Sequence, residues 1–223
     1  MSNNERKDGW RDTFRVAKRL FFLSIGISNS WGRRFRPDLT ALAAGQGWQI
    51  DNCAPAIVDH EGRYALKLSA QPGDGRAWLL DHLFTTGKID FRIAASEQQV
   101  GLILDPLSID AQDQFGFRFT FTPSSGPTGS AIDLLVWMDS GGQRQEAHHY
   151  FPLKMRDEWI PIRIIVSREI MAILVDQNHV PSLKIAHGHS AQRPARLGIW
   201  RGSGSPSLLA DLRLIQTDEW DIE

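Results

Sequence analysis

The sequence is poor in cysteine, because Cys53 is the one thiol among its 223 residues. A single cysteine cannot form an intrachain disulfide, so the fold must be held by its core, which a chain of this length can build. Long apolar runs are also missing. The longest one near the N-terminus, residues 20–27, is far shorter than a membrane-spanning helix of roughly 20 residues. The opening residues lack the basic-then-apolar pattern of a secretory signal, so we expect a cytoplasmic protein.

Charge is distributed unevenly along the chain. Residues 1–36 contain nine Lys or Arg against three Asp or Glu, so with a net charge of -1 the remainder carries about -7. Read as a helix, residues 7–21 have an apolar side and a basic side. The apolar side comprises Trp10, Phe14, Val16, Ala17, Leu20 and Phe21, and the basic side comprises Lys7, Arg11, Arg15, Lys18 and Arg19.

We therefore predict a basic amphipathic helical arm over residues 1–30, followed by a domain over residues 31–223. The arm could pack on the domain or on a second subunit, which favours a homo-oligomer or a protein partner. It could instead lie on an anionic membrane surface. Binding to nucleic acid is disfavoured, because no nucleic-acid-binding motif accompanies the cations and the rest of the chain is acidic.

After the arm, apolar residues recur at every second position, which is the period of a half-buried strand. Three such runs lie between Trp78 and Phe121, and the clearest are Ile89–Ile93 and Phe115–Phe121. Further strands are predicted at residues 48–50, 64–68, 77–80, 132–138, 148–153, 160–167, 171–176, 195–201 and 208–215. Turn residues separate them, as in His60–Arg63, Pro72–Gly75 and Pro123–Gly129. The pattern predicts an all-β, two-sheet antiparallel sandwich.

Several short sequence segments follow one another in an order that is typical of one superfamily. They are Phe84–Phe91, Gly101-Leu102, Trp159–Ile164, Ala172–Asp176, Arg196–Trp200 and the strand Leu209–Leu214. Over residues 48–216 the chain thus resembles the concanavalin A-like lectin and glucanase jelly roll. That superfamily includes laminin G-like domains and keto-disaccharide hydrolase-type sugar domains. The resemblance implies a jelly-roll fold, and because its members include lectins, glycosidases, lyases and docking modules, function must be argued from sites.

Glycoside hydrolysis needs two carboxylates at a defined separation. The glucanases of the superfamily carry their acids on one strand in a Glu-x-Asp-x-x-Glu run, and this chain has no such run. Its strand carboxylates are single, namely Asp90, Asp133, Asp176 and Asp211. Asp90 and Asp211 each precede an arginine by two residues, which indicates solvated ion pairs. We therefore expect no catalytic residues.

Metal-binding signals are weak. Asp105, Asp110 and Asp113 could hold calcium, but their spacing lacks the order of a calcium-binding loop and fits an ordinary acidic hairpin loop. The His148-His149 and His187-Gly-His189 pairs have no further ligands at zinc spacing. Ser203 stands between glycines without the strand-turn-helix context of a nucleophile elbow. We expect no cofactor.

Aromatic and cationic residues form the strongest candidate site. Alternation in the strand 133–139 places Trp137 on a mixed face with Asp133, where its ring could stack on a sugar while charged groups bind hydroxyls. The alternative is that Trp137 is covered by the arm or a loop. The predicted ligand-binding residues are Trp78, Arg118, Asp133, Trp137, Arg163, Trp200 and Arg201. Trp48 and Trp159 are expected to pack in the core or to anchor the starts of strands.

The sequence therefore predicts a non-catalytic carbohydrate-binding or recognition module with a concanavalin A-like fold, whose ligand is a carbohydrate or another polar molecule. A glycoside hydrolase or polysaccharide lyase of the same fold is the second alternative. The third is a structural, oligomerising protein that buries both the arm and the polar sheet face in contacts with itself. An open groove with exposed tryptophan would favour the first alternative, whereas a protein that assembles with itself would leave neither surface accessible.

Overall fold

A computed structural model describes most of the predicted domain. The described residues are 33–69, 71–94, 99–106, 115–122, 131–140, 143–152, 159–167, 170–176, 183–186, 194–203 and 206–217. The predicted arm, residues 1–30, lies outside them, so its helical form stays a prediction.

The described chain is almost entirely β-strand. Its strands are β1 (Arg33–Phe35), β2 (Trp48–Asp51), β3 (Pro55–His60), β4 (Arg63–Leu68), β5 (Gly75–Phe84), β6 (Gly87–Ala94), β7 (Gln99–Pro106), β8 (Phe115–Thr122), β9 (Ala131–Ser140), β10 (Gln143–Pro152), β11 (Trp159–Val166), β12 (Ile170–Val175), β13 (Leu183–Ala186), β14 (Ala195–Arg201) and β15 (Ser207–Gln216). One short helix, α1 (Leu39–Ala43), begins at Asp38, whose side chain accepts hydrogen bonds from the backbone N–H groups of Thr40 and Ala41.

The strands form two antiparallel sheets. An eight-stranded sheet has the order β13-β12-β11-β6-β15-β4-β3, with β1 also paired to β15. A seven-stranded sheet has the order β10-β9-β8-β7-β14-β5-β2. The order within each sheet mixes early and late strands, as a jelly roll requires, so the predicted two-sheet antiparallel sandwich is confirmed.

The core lies between the two sheets and follows the predicted alternation. In β6 the side chains of Ile89, Phe91 and Ile93 are at most 1% exposed, whereas the intervening Asp90 and Arg92 are half-buried. Leu102 of β7 belongs to the same buried cluster, which also includes Leu42 of α1. The period-two pattern therefore identifies the inward face correctly.

The turn predicted at His60–Arg63 is also present in the structure. The turn at Glu61-Gly62 joins β3 to β4, and both residues have positive φ values, 49° and 70°, as a tight hairpin turn of this kind needs. The predicted turn at Pro123–Gly129 lies outside the described residues. Within the described residues, no helix is long and apolar enough to cross a membrane.

Three strands were not predicted. β1 and β13 are only three and four residues long, too short to show a period. β3 contains a proline and an aspartate, and its burial pattern is irregular, because it lies at the end of the eight-stranded sheet. Strands in such positions are defined by pairing with a neighbour rather than by their own alternation.

Candidate functional site

One row of cross-strand neighbours runs across the outward face of the seven-stranded sheet. In this row Trp78 of β5 is opposite Gly198 of β14, and Gly198 is opposite Ile103 of β7. Ile103 is opposite Gly116 of β8, and Gly116 is opposite Trp137 of β9. Directly opposed residues project from the same face of a sheet. The register therefore places both tryptophans on one face, each beside a glycine.

A cluster of apolar side chains forms on this outward face, separate from the inner core. Its members are Trp78, Ile103, Leu135, Trp137 and Trp200. We call this surface the aromatic face. The tryptophan side chains are only 5% to 8% exposed. Of the two alternatives for Trp137, a ring presented to solvent and a ring that is covered, the structure shows the covered one. The exposed tryptophan that would favour an open binding groove is therefore not found at this position.

Two glycines explain how the large rings are seated. A Cβ atom added at Gly198 would lie 2.6 Å from the Cε3 and Cζ3 atoms of Trp78, and one added at Gly116 would lie closer still to the Trp137 ring. The two indoles therefore lie against the backbone of β14 and β8, where any side chain would collide with them. Since those strands flank β7, the two rings approach Ile103 from opposite sides.

Arg118 stands near the middle of the aromatic face. It follows Gly116 by two residues on β8 and is opposite Gly101 on one side and Leu135 on the other. Its guanidinium carbon lies 5.9 Å from the centroid of the Trp200 ring. The Nε atom of Arg118 is buried and has no hydrogen-bond partner within the described residues. Arg118 is therefore a half-buried donor that still requires an acceptor.

Polar pairs surround the aromatic cluster. Arg196 donates a hydrogen bond to Asp105 at 2.7 Å, and its guanidinium lies 5.2 Å from the centroid of the Trp78 ring. Asp133 lies 3.4 Å from the Nδ1 atom of His148 on the neighbouring strand. These groups offer donors and acceptors at both ends of the face, which is the arrangement needed to bind hydroxyl groups around an apolar centre.

The structure separates Arg163 from the other predicted site residues. Arg163 belongs to β11 of the eight-stranded sheet, on the far side of the core. It donates two hydrogen bonds to Asp90, at 2.6 and 2.9 Å, and these bonds raise the pKa of Arg163. Its assignment to the same ligand as Trp137 is therefore wrong. Alternation gives the face of a strand but not the sheet to which the strand belongs.

Arg201 also has a different role from the predicted one. Its side chain is fully buried, and it donates hydrogen bonds to four backbone carbonyls. The acceptors are Asn52, Gln71, Gly73 and Gly202, at 3.1, 3.2, 2.9 and 2.6 Å. Arg201 therefore fixes loops at the end of β14 and is not accessible to a ligand. Its neighbour Trp200 donates to Asp74 at 3.3 Å and lies in the aromatic cluster, not at a rim.

Two pairs of carboxylates on the aromatic face are far apart. Asp133 is opposite Thr120, which in turn is opposite Gln99 of β7. Asp105 lies six residues beyond Gln99 on β7, so Asp133 and Asp105 are separated by about 20 Å along the strand direction. Glu146 is opposite Trp137, four residues from Asp133, or about 14 Å away. Neither pair fits the carboxylate separations of about 5–9.5 Å that glycoside hydrolysis uses.

The metal hypotheses find no support in the described residues. Asp105 is paired with Arg196, whereas Asp110, Asp113, His187 and His189 lie outside the described part of the chain. Among the residues that the structure describes, no group of three or more His, Cys, Asp or Glu could hold a metal ion.

The sequence predicted the tryptophans of this face but not the two glycines against which two of their rings pack. Gly116 and Gly198 each break an otherwise bulky strand at an outward position. Such a glycine indicates the close approach of another group, and this was the available signal. The sequence indicates Asp105 and His148 only as possible metal ligands, and Arg196 only as part of the resemblance to a known fold. As expected, Trp48 lies in the core, and Trp159 is buried at the start of β11.

Comparison with known proteins identifies the fold. No protein-family model matches the sequence, and no curated protein matches it. Crh5 transglycosylase, solved in complex with NAG, has a TM-score of 0.55 at 12% identity, covering 84% of this chain and 85% of that one. The carbohydrate-binding module CBM66 from Bacillus subtilis has a TM-score of 0.50 at 11% identity, covering 75% and 95%.

A native glycosidic hydrolase has a TM-score of 0.51 at 13% identity, covering 86% of this chain and 99% of that one. At such low identities the likeness shows the fold alone. The chain has the concanavalin A-like jelly-roll fold, which confirms the resemblance that its sequence predicted.

Proposed function

We propose that the protein binds a carbohydrate on the aromatic face without cleaving it. The observation that carries this proposal is Arg118, a half-buried cation beside the indole cluster whose buried Nε atom has no acceptor within the described residues. The Nε atom itself is enclosed, but the side chain is only half-buried, so the exposed part of the guanidinium can donate to a hydroxyl or ring oxygen of a bound sugar.

Each part of the face has a role in this proposal. Trp78, Trp137 and Trp200 form an apolar floor, and their low exposure means that a sugar would contact only ring edges and the small exposed parts of the faces. Arg118 supplies the central donor. Asp133, as the sequence predicted, and His148 supply hydrogen-bonding groups at one end of the face.

The geometry favours binding over hydrolysis. Asp133 lies too far from Asp105 and from Glu146 to form with either of them a general acid paired with a nucleophile or base. The solved structures with the same fold include both a carbohydrate-binding module and a transglycosylase, so the fold is compatible with either activity. The carboxylate spacing is what supports the non-catalytic alternative.

The test is a glycan array probed with the wild-type protein, the Arg118→Met variant and an Arg213→Met control. Arg213 is an exposed arginine on the opposite sheet, so its replacement makes the same chemical change away from the aromatic face. Hydrogen bonds to a charged group contribute about 1.5–3 kcal/mol, so Arg118→Met should weaken binding to a glycan hit by about 10- to 150-fold. The control should bind like the wild type.

The same glycans, incubated with the protein and analysed by chromatography, should remain uncleaved. Equal binding by both variants would contradict the assignment of the site to the aromatic face. Release of shorter products would contradict the non-catalytic proposal and favour the hydrolase or lyase alternative.

A further inference from the structure

The outward face of the eight-stranded sheet has a very different charge from the aromatic face. Alternation around the core residues directs Arg34, Lys67, Lys88, Arg92, Arg163 and Arg213 outward from this sheet. The outward carboxylates on its described strands are Asp90 and Asp211. The aromatic face is nearly balanced, with four arginines and five carboxylates in its cross-strand rows. We call the outward side of the eight-stranded sheet the basic face.

The carboxylates of the basic face leave most of its charge uncompensated. Asp211 alone faces three arginines, with Arg63 at 2.9 Å, Arg92 at 3.2 Å and Arg36 at 4.0 Å. One carboxylate cannot neutralise three guanidinium groups, so this cluster keeps an excess of positive charge. Asp211 also has a positive φ of 55° at an irregularity in β15, which turns its side chain toward the cluster.

Two exposed arginines on the face have no carboxylate partner within the described residues. Arg34 and Arg213 are exposed and form no ion pair within the described part of the chain. The pKa of Lys88 is lowered, chiefly by burial and further by the positive charge of Arg163. The potential over this face is therefore positive across several neighbouring strands.

The cations are spread in two dimensions rather than along a line. They lie on β4 and β1, on β15, on β6 and on β11, which spans about 14 Å across the strands. From Lys88 to Arg92 they extend a similar distance, about 14 Å, along β6. A flat field of this shape complements a planar anionic surface better than it complements a single extended polyanion.

We propose that the basic face docks the protein on an anionic lipid surface. The charge complementarity described above carries the proposal, and the sequence of the arm favours lipid over other polyanions. The arm precedes β1 in the sequence, and Arg34 of β1 lies on the basic face. Its sequence combines a basic side with an apolar side, and this combination is typical of segments that bind membrane interfaces. This docking is independent of carbohydrate binding, which involves the opposite sheet.

The experiment measures co-sedimentation of the full chain with vesicles of phosphatidylcholine alone or with about 30% phosphatidylserine. Wild-type protein should bind the anionic vesicles, and the binding should weaken as salt shortens the screening length. Each Lys or Arg near an anionic leaflet contributes about fivefold to binding. Arg34→Gln combined with Arg213→Gln should therefore weaken vesicle binding by about 25-fold.

The matched control combines Arg33→Gln with Arg76→Gln, which changes the net charge equally. Arg33 alternates with Arg34 on β1, and Arg76 belongs to the seven-stranded sheet. This control should weaken binding by less than about twofold. Asp211→Asn removes a negative charge from the basic face, so it should tighten binding by about fivefold, and asparagine tolerates the positive φ.

Three results would overturn the proposal. The first is the absence of binding of the wild type to phosphatidylserine vesicles. The second is equal loss of binding in the Arg34/Arg213 variant and its control. The third is binding to heparin or duplex DNA without binding to vesicles, which would assign the face to a different polyanion.

Discussion

Gly116 and Gly198 decide where two tryptophans of the aromatic face can lie. Each glycine is opposite its tryptophan across a strand pair, and a methyl group at either position would overlap the indole ring. A residue with a side chain would force the ring away from the sheet backbone. The aromatic face thus depends as much on two absent side chains as on the rings themselves.

We predict that Gly116→Ala destabilises the protein by about 1–3 kcal/mol, because the new methyl group overpacks the Trp137 ring. The free energy of unfolding, measured by urea denaturation, checks this. Trp137→Ala should cost about 3–5 kcal/mol, as expected for a ring that is 8% exposed.

The double variant Gly116→Ala/Trp137→Ala provides the control. Once the ring is gone, Gly116→Ala has nothing to collide with, so the two effects should be strongly non-additive. Additive effects would mean that Gly116 matters for a reason other than seating Trp137. A small cost of Trp137→Ala would show that the ring is exposed, contrary to the structure.

Arg201 is a second residue whose role depends on burial. It has no carboxylate partner within the described residues, and its two Nη atoms donate to backbone carbonyls of three separate segments, whereas its buried Nε atom has no partner there. Arg201→Met would leave these carbonyls without their donor, and we predict a loss of about 2–4 kcal/mol of unfolding free energy. Arg33→Met, at an exposed arginine, should cost almost nothing, and an equal loss in both would contradict a structural role for Arg201.

At the scale of elements, β5 shows an irregularity that a straight strand would lack. Trp78 is opposite Gly198, yet Leu83 is opposite Arg196, so β5 contains extra residues between these pairs. His82 lies in this segment and stacks on Phe35 of β1, with 4.2 Å between ring centroids and 8° between planes. This contact links β5 of one sheet to β1 of the other.

Burial lowers the pKa of His82 below its ordinary value, and its Nε2 atom has no partner in the described part of the chain. The folded state therefore binds a proton less readily than the unfolded state. Stability that is complete above the unfolded pKa of about 6.5 is lost as the pH falls through the lower folded pKa. We predict that the melting temperature falls on acidification from pH 7 to pH 5, and that His82→Gln reduces this fall. An unchanged pH dependence in the variant would contradict the assignment to His82.

The sequence predicted strands and faces more accurately than it predicted neighbours. Alternation placed Phe91 inward and Arg118 and Arg163 outward, as the structure confirms. The same pattern could not show that Arg118 and Arg163 belong to different sheets, because strand order depends on contacts between distant segments. The burial of Arg201 was unpredictable for a similar reason, since three of its four carbonyl partners come from segments more than a hundred residues away.

At the scale of the whole molecule, the sandwich has two outward faces of different chemistry. One face carries an indole cluster with balanced polar pairs, and the other carries an excess of Lys and Arg. Two such faces on opposite sides of one core allow a protein to bind a carbohydrate and an anionic surface at once. The first described strand after the arm, β1, belongs to the eight-stranded sheet.

We predict that deletion of residues 1–30 leaves a folded β domain, since the described strands begin at Arg33. Far-ultraviolet circular dichroism and size-exclusion chromatography of the truncated chain check this. Loss of the β spectrum would mean that the arm belongs to the core. A truncated chain that keeps its β spectrum but forms smaller oligomers than the full chain would favour the alternative of a structural, oligomerising protein.

The location of the carbohydrate site is tested most directly by the indole N–H signals of the eight tryptophans in a two-dimensional NMR spectrum. Titration with a glycan hit should shift the signals of Trp78, Trp137 and Trp200, assigned by single substitutions to phenylalanine. The signals of Trp48 and Trp159, which are buried elsewhere, should stay in place. Shifts at Trp159 without shifts on the aromatic face, or binding that moves none of these signals, would contradict the account.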